Sequence, residues 1–504
     1  MSSKSSAEAC FSIPEIIQRI AVFVDNWDKC TLSYFSRTNR CTHISLQQER
    51  NRTISCRVEN IPSLSMFIDR RLSQDELVPC RSLEIIGNRG FQSDPRDVDA
   101  HSSLVSILNH LGENRRLDAF SYRGPDQSQE FVCVPPQIWT ALRPSSGALK
   151  SLNIMTHSCN WDTLFAIDFS ELRGLQLAID FSILSPYGCR NVNLSYTGTL
   201  LSSQIPRFLQ CMQHLTNLML SLPYARAGTL NMKDLLFPAL LAVDLSSHTP
   251  PLGLTRFIAR HPELLRLQLR FEASFILAQV QVQDLPNLRA LKFRAGSVEH
   301  AILSTFFARR PPAPSNAEEV RARRLHIEHI SICNLQEFRG LEYYISPYGS
   351  QLRRLDLQIS NHRQISQNHL SFELRSFTAL VELSITIIDI HPELGLVKRT
   401  EEKSISELRN YLKALKRCVS LKALHLHNPP SRPVSSSNLQ NLEPLPPSLQ
   451  YISWKNRSVK TTFRIVRDSA SHSPHAVVCE VPSVQREIVY DWTSENTFRH
   501  AFDL

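Results

Sequence analysis

The chain has 504 residues, of which 42% are hydrophobic and 20% charged, with a formal net charge of +9. These values suit a folded protein that is too long for one compact core unless it is extended or repeated. The positive excess is mild for the length and falls short of a nucleic-acid-binding signature. Only 14 glycines are present, against an ordinary usage of about 7%. Phosphate-cradling loops and nucleophile elbows need glycine, so the composition weighs against an enzyme.

The twelve cysteines are scattered as singletons, with no C-x-x-C pair. That spacing argues against a structural zinc site and against a disulfide-dense secreted scaffold. The cysteines read instead as small apolar residues in a reducing compartment. Residues 1–9 are polar and carry no signal-like apolar stretch, and no uninterrupted apolar run approaches the roughly 18 residues of a membrane span. The expectation is a soluble protein of the cytoplasm, the nucleus or both, with no membrane partner.

In chain order, 1–9 read as a disordered N-terminus and 10–50 as a small helical domain. Ser12-Ile13-Pro14-Glu15 has the form of a capping box with proline in the first turn. Ile16, Ile17, Ile20, Phe23 and Val24 then recur three or four apart on one helical face. Asp25-Asn26 offers a stop and a new N-cap, and a second amphipathic run carries Leu32 and Phe35. A segment this short cannot bury so much apolar surface alone, so it must pack on the rest of the chain or on another protein.

Residues 51–76 read as a connecting region. From 77 to 459 one unit keeps returning, L-x-x-L-x-L or a near variant. Clear copies are LKSLNI (149–154), LRGLQL (172–177), LTNLML (215–220), LLAVDL (240–245), LLRLQL (264–269), LRALKF (288–293), LRRLDL (352–357), LVELSI (380–385) and LKALHL (421–426). CRSLEI (80–85), LDAFSY (117–122), RRLHI (323–327) and LQYISW (449–454) are weaker. The starts at 215, 240, 264 and 288 fall within the 20–29-residue period of leucine-rich repeats. A strand reading x-L-x-L-x sends its leucines to one face, and that face is buried only when the next unit stacks on it. The fold class expected is therefore α/β: a leucine-rich-repeat solenoid, its curved parallel sheet on the concave face and its helices outside, behind a small helical domain.

Segments such as 205–211 and 253–259 read as outer helices, and Phe237-Pro238 and Leu285-Pro286 as helix ends before the next strand. Three insertions interrupt the series: the Pro-rich 309–314 with the charged run 318–324, an amphipathic helix at 398–417 with Ile405, Leu408, Leu412 and Leu415 on one face, and the Pro/Ser loop 429–437. Residues 460–504 leave the repeat. Within them 461–466 and 476–481 alternate like strands that close the last open edge.

The stretch Ile13-Pro14-Glu15-Ile16-Ile17, followed by Ile20, Leu32, Phe35 and Arg37, resembles an F-box, and with the irregular repeats behind it the chain is similar to the F-box/leucine-rich-repeat family. That family carries tryptophan two residues after the arginine, where this chain has Asn39. The resemblance implies the substrate-recognition subunit of a Skp–cullin–F-box ubiquitin ligase. Pro14, Ile16, Ile17, Ile20, Leu32 and Phe35 would dock on the Skp adaptor, which joins the cullin, and the repeats would hold a client protein. The alternative is a leucine-rich-repeat scaffold with no ubiquitin role, whose N-terminal helices only cap the array; Asn39 favours it.

None of the usual catalytic, nucleotide-binding or metal signatures occurs: there is no P-loop, no G-x-G-x-x-G, no G-x-S-x-G and no H-E-x-x-H. No catalytic residue, cofactor or metal is expected. His326 and His329, and the pairs His425/His427 and His472/His475, read as solvated. The repeat pattern does define a concave face, made of the residues that flank each leucine. On it Arg266, Arg270, Lys292, Arg294, Arg324 and Arg354 cluster on neighbouring repeats, with Glu328 and Asp356 partly offsetting them. Arginine suits bidentate capture of carboxylate or phosphate, so the expected client is an acidic or phosphorylated protein segment. Nucleic acid is disfavoured, because no aromatic side chains interleave to stack bases.

Overall fold

A computed structural model describes residues 52–73, 80–87, 95–114, 117–124, 133–180, 194–222, 229–271, 285–294, 327–335, 350–359, 377–387, 401–427, 445–455, 460–467 and 476–481. The F-box-like stretch 10–50, with all six adaptor-docking residues, lies outside these residues, as do the Pro-rich and Pro/Ser insertions. The chain forms two compact units.

The first unit comprises Met1–Leu240, Ser246–Gly253 and Asp491–Leu504. Its strands are β1 (Thr53–Arg57), β2 (Ser82–Ile86), β3 (Ala119–Arg123), β4 (Ser151–His157), β5 (Gly174–Asp180) and β6 (Asn217–Leu222). All pair parallel, each with the next in sequence. Register brings Leu83, Phe120, Leu152, Leu175 and Leu218 into one row and Ile85, Tyr122, Ile154, Leu177 and Leu220 into a second. Both rows are buried.

The intervening helices are α1 (Ile61–Leu72), α2 (Pro95–Glu113), α3 (Pro136–Leu142), α4 (Trp161–Phe165), α5 (Leu194–Thr199) and α6 (Ile205–Gln210). α2 starts on proline, whose missing N–H costs nothing in the first turn, and buries Leu104, Ile107, Leu108 and Leu111 at helical spacing. The series already starts at β1, so residues 53–57 belong to the sheet and not to a connecting region as expected. The unit reads Ile54-x-Cys56 there, with no leucine to betray it.

The second unit, Leu241–Leu245 and Leu254–Tyr490, opens with the first residues of β7 (Ala242–Ser247). It continues through β8 (Arg266–Phe271), β9 (Ala290–Arg294), β10 (His329–Leu335), β11 (Arg354–Ile359), β12 (Glu382–Ile387), β13 (Ala423–His427) and β14 (Tyr451–Lys455). β8 to β14 pair parallel in sequence order. β15 (Lys460–Arg467) then turns antiparallel onto β14, and β16 (Ala476–Val481) onto β15. These two strands occupy the edge that the alternating segments 461–466 and 476–481 were expected to close.

Here the buried rows are Leu267, Leu291, Ile330, Leu355, Leu383, Leu424 and Ile452, and Leu269, Phe293, Ile332, Leu357, Ile385, Leu426 and Trp454. α7 (Leu254–Ala259) and α8 (Glu401–Leu415) are the helices among the described residues of this unit. α8 buries Leu408, Leu412 and Leu415 as its spacing predicts, while Ile405 is half-buried.

Two backbone devices repeat within both units. The first leucine of most L-x-x-L-x-L copies closes a tight turn. The N–H groups of Leu172, Leu215, Leu240, Leu264, Leu288, Leu380, Leu421 and Leu449 donate to the carbonyl three residues earlier, at 3.1–3.4 Å. At Phe237-Pro238 that turn stands where a helix end was expected, and the described residues before it, 229–236, are not helical.

Within each unit, the residue just before a strand then offers its carbonyl to two consecutive N–H groups at the entry of the next parallel strand. Arg52 accepts from Arg81 and Ser82, Lys150 from Arg173 and Gly174, Arg289 from Glu328 and His329, and Lys422 from Gln450 and Tyr451, all at 2.8–3.1 Å. Using both lone pairs of one carbonyl fixes the register of neighbouring strands at their first residue.

In the first unit, Leu252 donates to the Leu230 carbonyl and accepts from Met232 N–H, and Gly253 follows with φ 75°. A Cβ at Gly253 would lie 2.7 Å from Lys233 Cα. Both the left-handed backbone and the lack of room require glycine. Gly253→Ala should cost about 1–3 kcal/mol in unfolding free energy, read as a lower urea midpoint. Gly147→Ala, where a Cβ meets nothing within 4 Å, should leave that midpoint unchanged.

Candidate functional site

The strand positions that alternate with the buried leucines carry the polar chemistry, because successive side chains of a strand point to opposite faces. In the second unit these are the first, third and fifth residues of each strand. Parallel register stacks like positions on neighbouring strands, about 4.8 Å apart.

Over β7–β9 the face is cationic around one carboxylate. Arg270 Nη2 lies 3.3 Å from both carboxylate oxygens of Asp244. Burial pushes the Asp244 carboxyl up, against the opposing pull of Arg270, Lys292 and Arg266. Three of the sequence-predicted client-binding residues, Arg266, Arg270 and Lys292, are therefore brought together and half-buried. Among the described residues of this group, three cations thus surround one carboxylate.

Over β10–β13 the face is a buried, nearly closed relay. His329, first in β10, places Nε2 2.7 Å from Asp356 Oδ2. Arg354 Nε donates to Asp356 Oδ1 at 3.0 Å, and Arg354 Nη1 lies 3.1 Å from Glu382 Oε1. His425 Nε2 lies 2.8 Å from that same oxygen. His329, Arg354, Glu382 and His425 are each no more than 7% exposed, and Ser331 and Ser384 beside them, with Ser453 on the adjoining β14, are buried as well. Burial alone would raise the Asp356 carboxyl, but Arg354 and His329 outweigh it and hold it well below the ordinary carboxylate range. Burial pushes the His329 imidazole down, and Asp356 offsets this only in part. The group behaves as a neutral histidine beside an ionised aspartate and a charged guanidinium.

Several sequence expectations change here. Arg354 is placed on the expected face, but inside the relay. Arg324 and the side chain of Arg294 lie outside the described residues. β10 starts at His329, so the stacked unit is Ile327-x-x-Ile330-x-Ile332 and not one whose last apolar positions are Leu325 and Ile327. Glu328 therefore precedes the strand and is not on the face. His329 and His425, read as solvated, are buried; their carboxylate partners lie on neighbouring strands 27 and 43 residues away.

A second feature escaped sequence reasoning although the motif contains it. The residue after the first leucine position is basic in C-R-S-L, L-K-S-L, L-R-G-L, L-R-A-L, L-R-R-L and L-K-A-L. Arg81, Lys150 and Arg173 in the first unit, and Arg289, Arg353 and Lys422 in the second, are all exposed at the strand-entry edge. In the first unit Asp118 joins this edge, 3.4 Å from Arg81 Nη1 and 3.9 Å from Lys150 Nζ.

The cysteines are also less scattered in space than in sequence. Cys133, His157 and Cys159 come together in the first unit. Among the described helices, none is long and apolar enough to cross a membrane.

No protein-family model matches the chain, and no curated protein matches it. Among solved structures, the crystal structure of a Bacteroides fragilis protein from the Northeast Structural Genomics Consortium aligns at 12% identity over 81% of this chain and 72% of that one. Its TM-score of 0.17 carries no argument about fold or function.

Linkage fixes the pH response of the relay. His329 takes up its proton less readily in the folded chain than in the unfolded one, so its contribution is intact above the ordinary histidine value of 6.5 and is lost as pH falls below it. Asp356 adds a second loss below its ordinary value of 3.8. His101 and His261 are shifted the same way as His329 by burial. Stability measured by urea unfolding should decline from pH 6.5 downward, and His329→Asn should make the decline between pH 6.5 and 4 shallower. Asp356→Asn, which strips Arg354 of a buried partner, should cost about 3–5 kcal/mol at neutral pH.

Proposed function

We propose that the chain is a non-catalytic interaction receptor of the F-box/leucine-rich-repeat type. Its N-terminal segment would dock on a Skp adaptor, and through it a cullin, while its repeat array holds a client protein for ubiquitin transfer by other subunits. The observation that carries this reading is the in-order parallel stacking of strands, most entered through a tight turn and successive ones sharing an entry carbonyl, in both compact units. Such stacking is how leucine-rich repeats bury their leucines, and it leaves a long polar face and an edge for a partner.

The client would be acidic. The cationic group Arg266, Arg270 and Lys292 and the exposed edge residues Arg289, Arg353 and Lys422 are chemically suited to carboxylate or phosphate. The relay at Arg354, already occupied by Asp356 and Glu382, would take no part in client binding. The adaptor contact rests on the resemblance of Pro14, Ile16, Ile17, Ile20, Leu32 and Phe35 to the F-box pattern. A second reading keeps the repeat array and drops the ubiquitin role; Asn39, where the F-box family has tryptophan, favours it.

The test is retention of the full chain on immobilised, purified Skp adaptor. The receptor reading expects wild-type protein to be retained and Pro14→Ala/Ile17→Asp to lose at least tenfold in affinity, with unchanged far-ultraviolet circular dichroism. A folded wild type that passes through unretained would leave the scaffold reading in its place.

A further inference from the structure

β4 ends on His157, and a short 3-10 turn, Ser158–Asn160, leads from it into α4. Cys159 lies in that turn, and Cys133 lies in the segment just before α3. The ligand-capable atoms of Cys133, His157 and Cys159 all fall within 4.8 Å of one another. A tetrahedral zinc with Zn–S of about 2.3 Å and Zn–N of about 2.0 Å holds such atoms about 3.5–3.8 Å apart, so small side-chain adjustments bring the three to bonding geometry. The cysteines are half-buried and not joined in a disulfide, whereas His157 is only 2% exposed.

The surroundings hold the three groups in place. Asn160 Nδ2 donates to the Val134 carbonyl at 2.8 Å, tying the segment with Cys133 to the turn with Cys159. The same amide nitrogen lies 3.5 Å from Cys159 Sγ, where it would stabilise a thiolate. Trp161, fully buried, donates Nε1–H to the His157 carbonyl and to Thr156 Oγ1, each at 2.9 Å, which fixes the backbone of His157. Outer partners of this kind orient metal ligands and tune their affinity. Among the described residues, no other cysteine belongs to a group of metal-ligating side chains of this kind. Burial pushes the Cys80 thiol up to about 12 and the Cys418 thiol up to about 11, which leaves both chemically inert.

We propose that Cys133, His157 and Cys159 form a binding site for a zinc ion, with two thiolates and one neutral imidazole as ligands and a fourth position open to water or an incoming donor. Two thiolates with an imidazole select zinc over hard cations such as magnesium or calcium. Binding releases the two thiol protons, so affinity falls as pH falls. The ion would clip the entry of α3 to the end of β4, joining two successive segments of the first unit. This site does not depend on the receptor reading.

The experiment uses the reduced full chain, made metal-free with a chelator and then given Zn2+ or Co2+. Wild-type protein should bind one equivalent more than Cys133→Ser/Cys159→Ser. The Co2+ form should show the near-ultraviolet thiolate-to-cobalt band and visible bands of tetrahedral intensity that the double variant lacks. Zn2+ should also raise the melting temperature of wild type alone. Should the variant fold poorly, peptide mapping of wild type supplies the readout: Zn2+ should slow alkylation of Cys133 and Cys159 at least tenfold and leave Cys211 unchanged. Equal metal binding by wild type and variant, unaltered alkylation of the two cysteines, or their recovery as a mutual disulfide under the same reducing conditions would overturn the proposal.

Discussion

Within each unit, successive parallel strands are tied at their entry by a carbonyl that accepts two N–H groups. The rest of the structure depends on this. A slip of one residue between parallel strands would carry every leucine of that strand to the opposite face and every polar residue into the core. The shared carbonyl and the preceding turn fix the register before the first leucine is buried, so the apolar rows come into line whatever the chain does between strands. Consecutive strands start at 242, 266 and 290, and the next only at 329. Because the fixed points lie at the entry, a longer connection changes loop entropy only slowly and leaves the ladder intact.

The same constraint governs the polar face. Register stacks like positions of adjacent strands, so a charged residue there meets its neighbours' side chains as readily as it meets water. Over β10–β13 the outcome is a chain of contacts from His329 through Asp356, Arg354 and Glu382 to His425. Desolvating these groups costs much of what their attraction returns, so the relay is weak as a source of net stability. Its effect is selective: any other register would leave a buried guanidinium or carboxylate without its partner, which costs far more than the relay gains. Leucine rows on one face and matched charges on the other thus specify one alignment from both sides.

Much of the ladder was legible because L-x-x-L-x-L is a local pattern, and the strands from β2 to β14 fall on its copies with one exception. At 323–332 two frames compete, one ending Leu325-x-Ile327 and one running Ile327-x-x-Ile330-x-Ile332. A preference for leucine picks the first, whereas burial of Ile330 and Ile332 beside Leu355 and Leu357 picks the second. β1 was missed for a similar reason, since Ile54 and Cys56 stand where leucines would. The relay was not legible. Whether a polar residue beside a leucine is open or sealed depends on residues a full unit or more away, and no local pattern reports that His329 faces Asp356. Cys133 and Cys159 show the point again. Metal-site reading looks for ligands two to four apart, but stacking brings residues one unit apart side by side.

For a binding surface the two kinds of charge differ in what they can contribute. Groups sealed in the relay have given up their hydration and found partners, so a ligand that displaced Asp356 from Arg354 would have to repay that whole arrangement. The exposed cations at the strand entries, Arg353 and Lys422 among them, keep their hydration and are screened beyond about 8–10 Å at physiological salt. Charges of that kind raise association rates and favour acidic partners more than they add affinity. Affinity would have to come from the half-buried group around Asp244, where an incoming carboxylate or phosphate meets Arg266, Arg270 and Lys292 already held close and partly desolvated. On the proposed receptor reading the edge would recruit the client and the cluster over β7–β9 would hold it, while the relay over β10–β13 keeps the strands in the register on which both would depend.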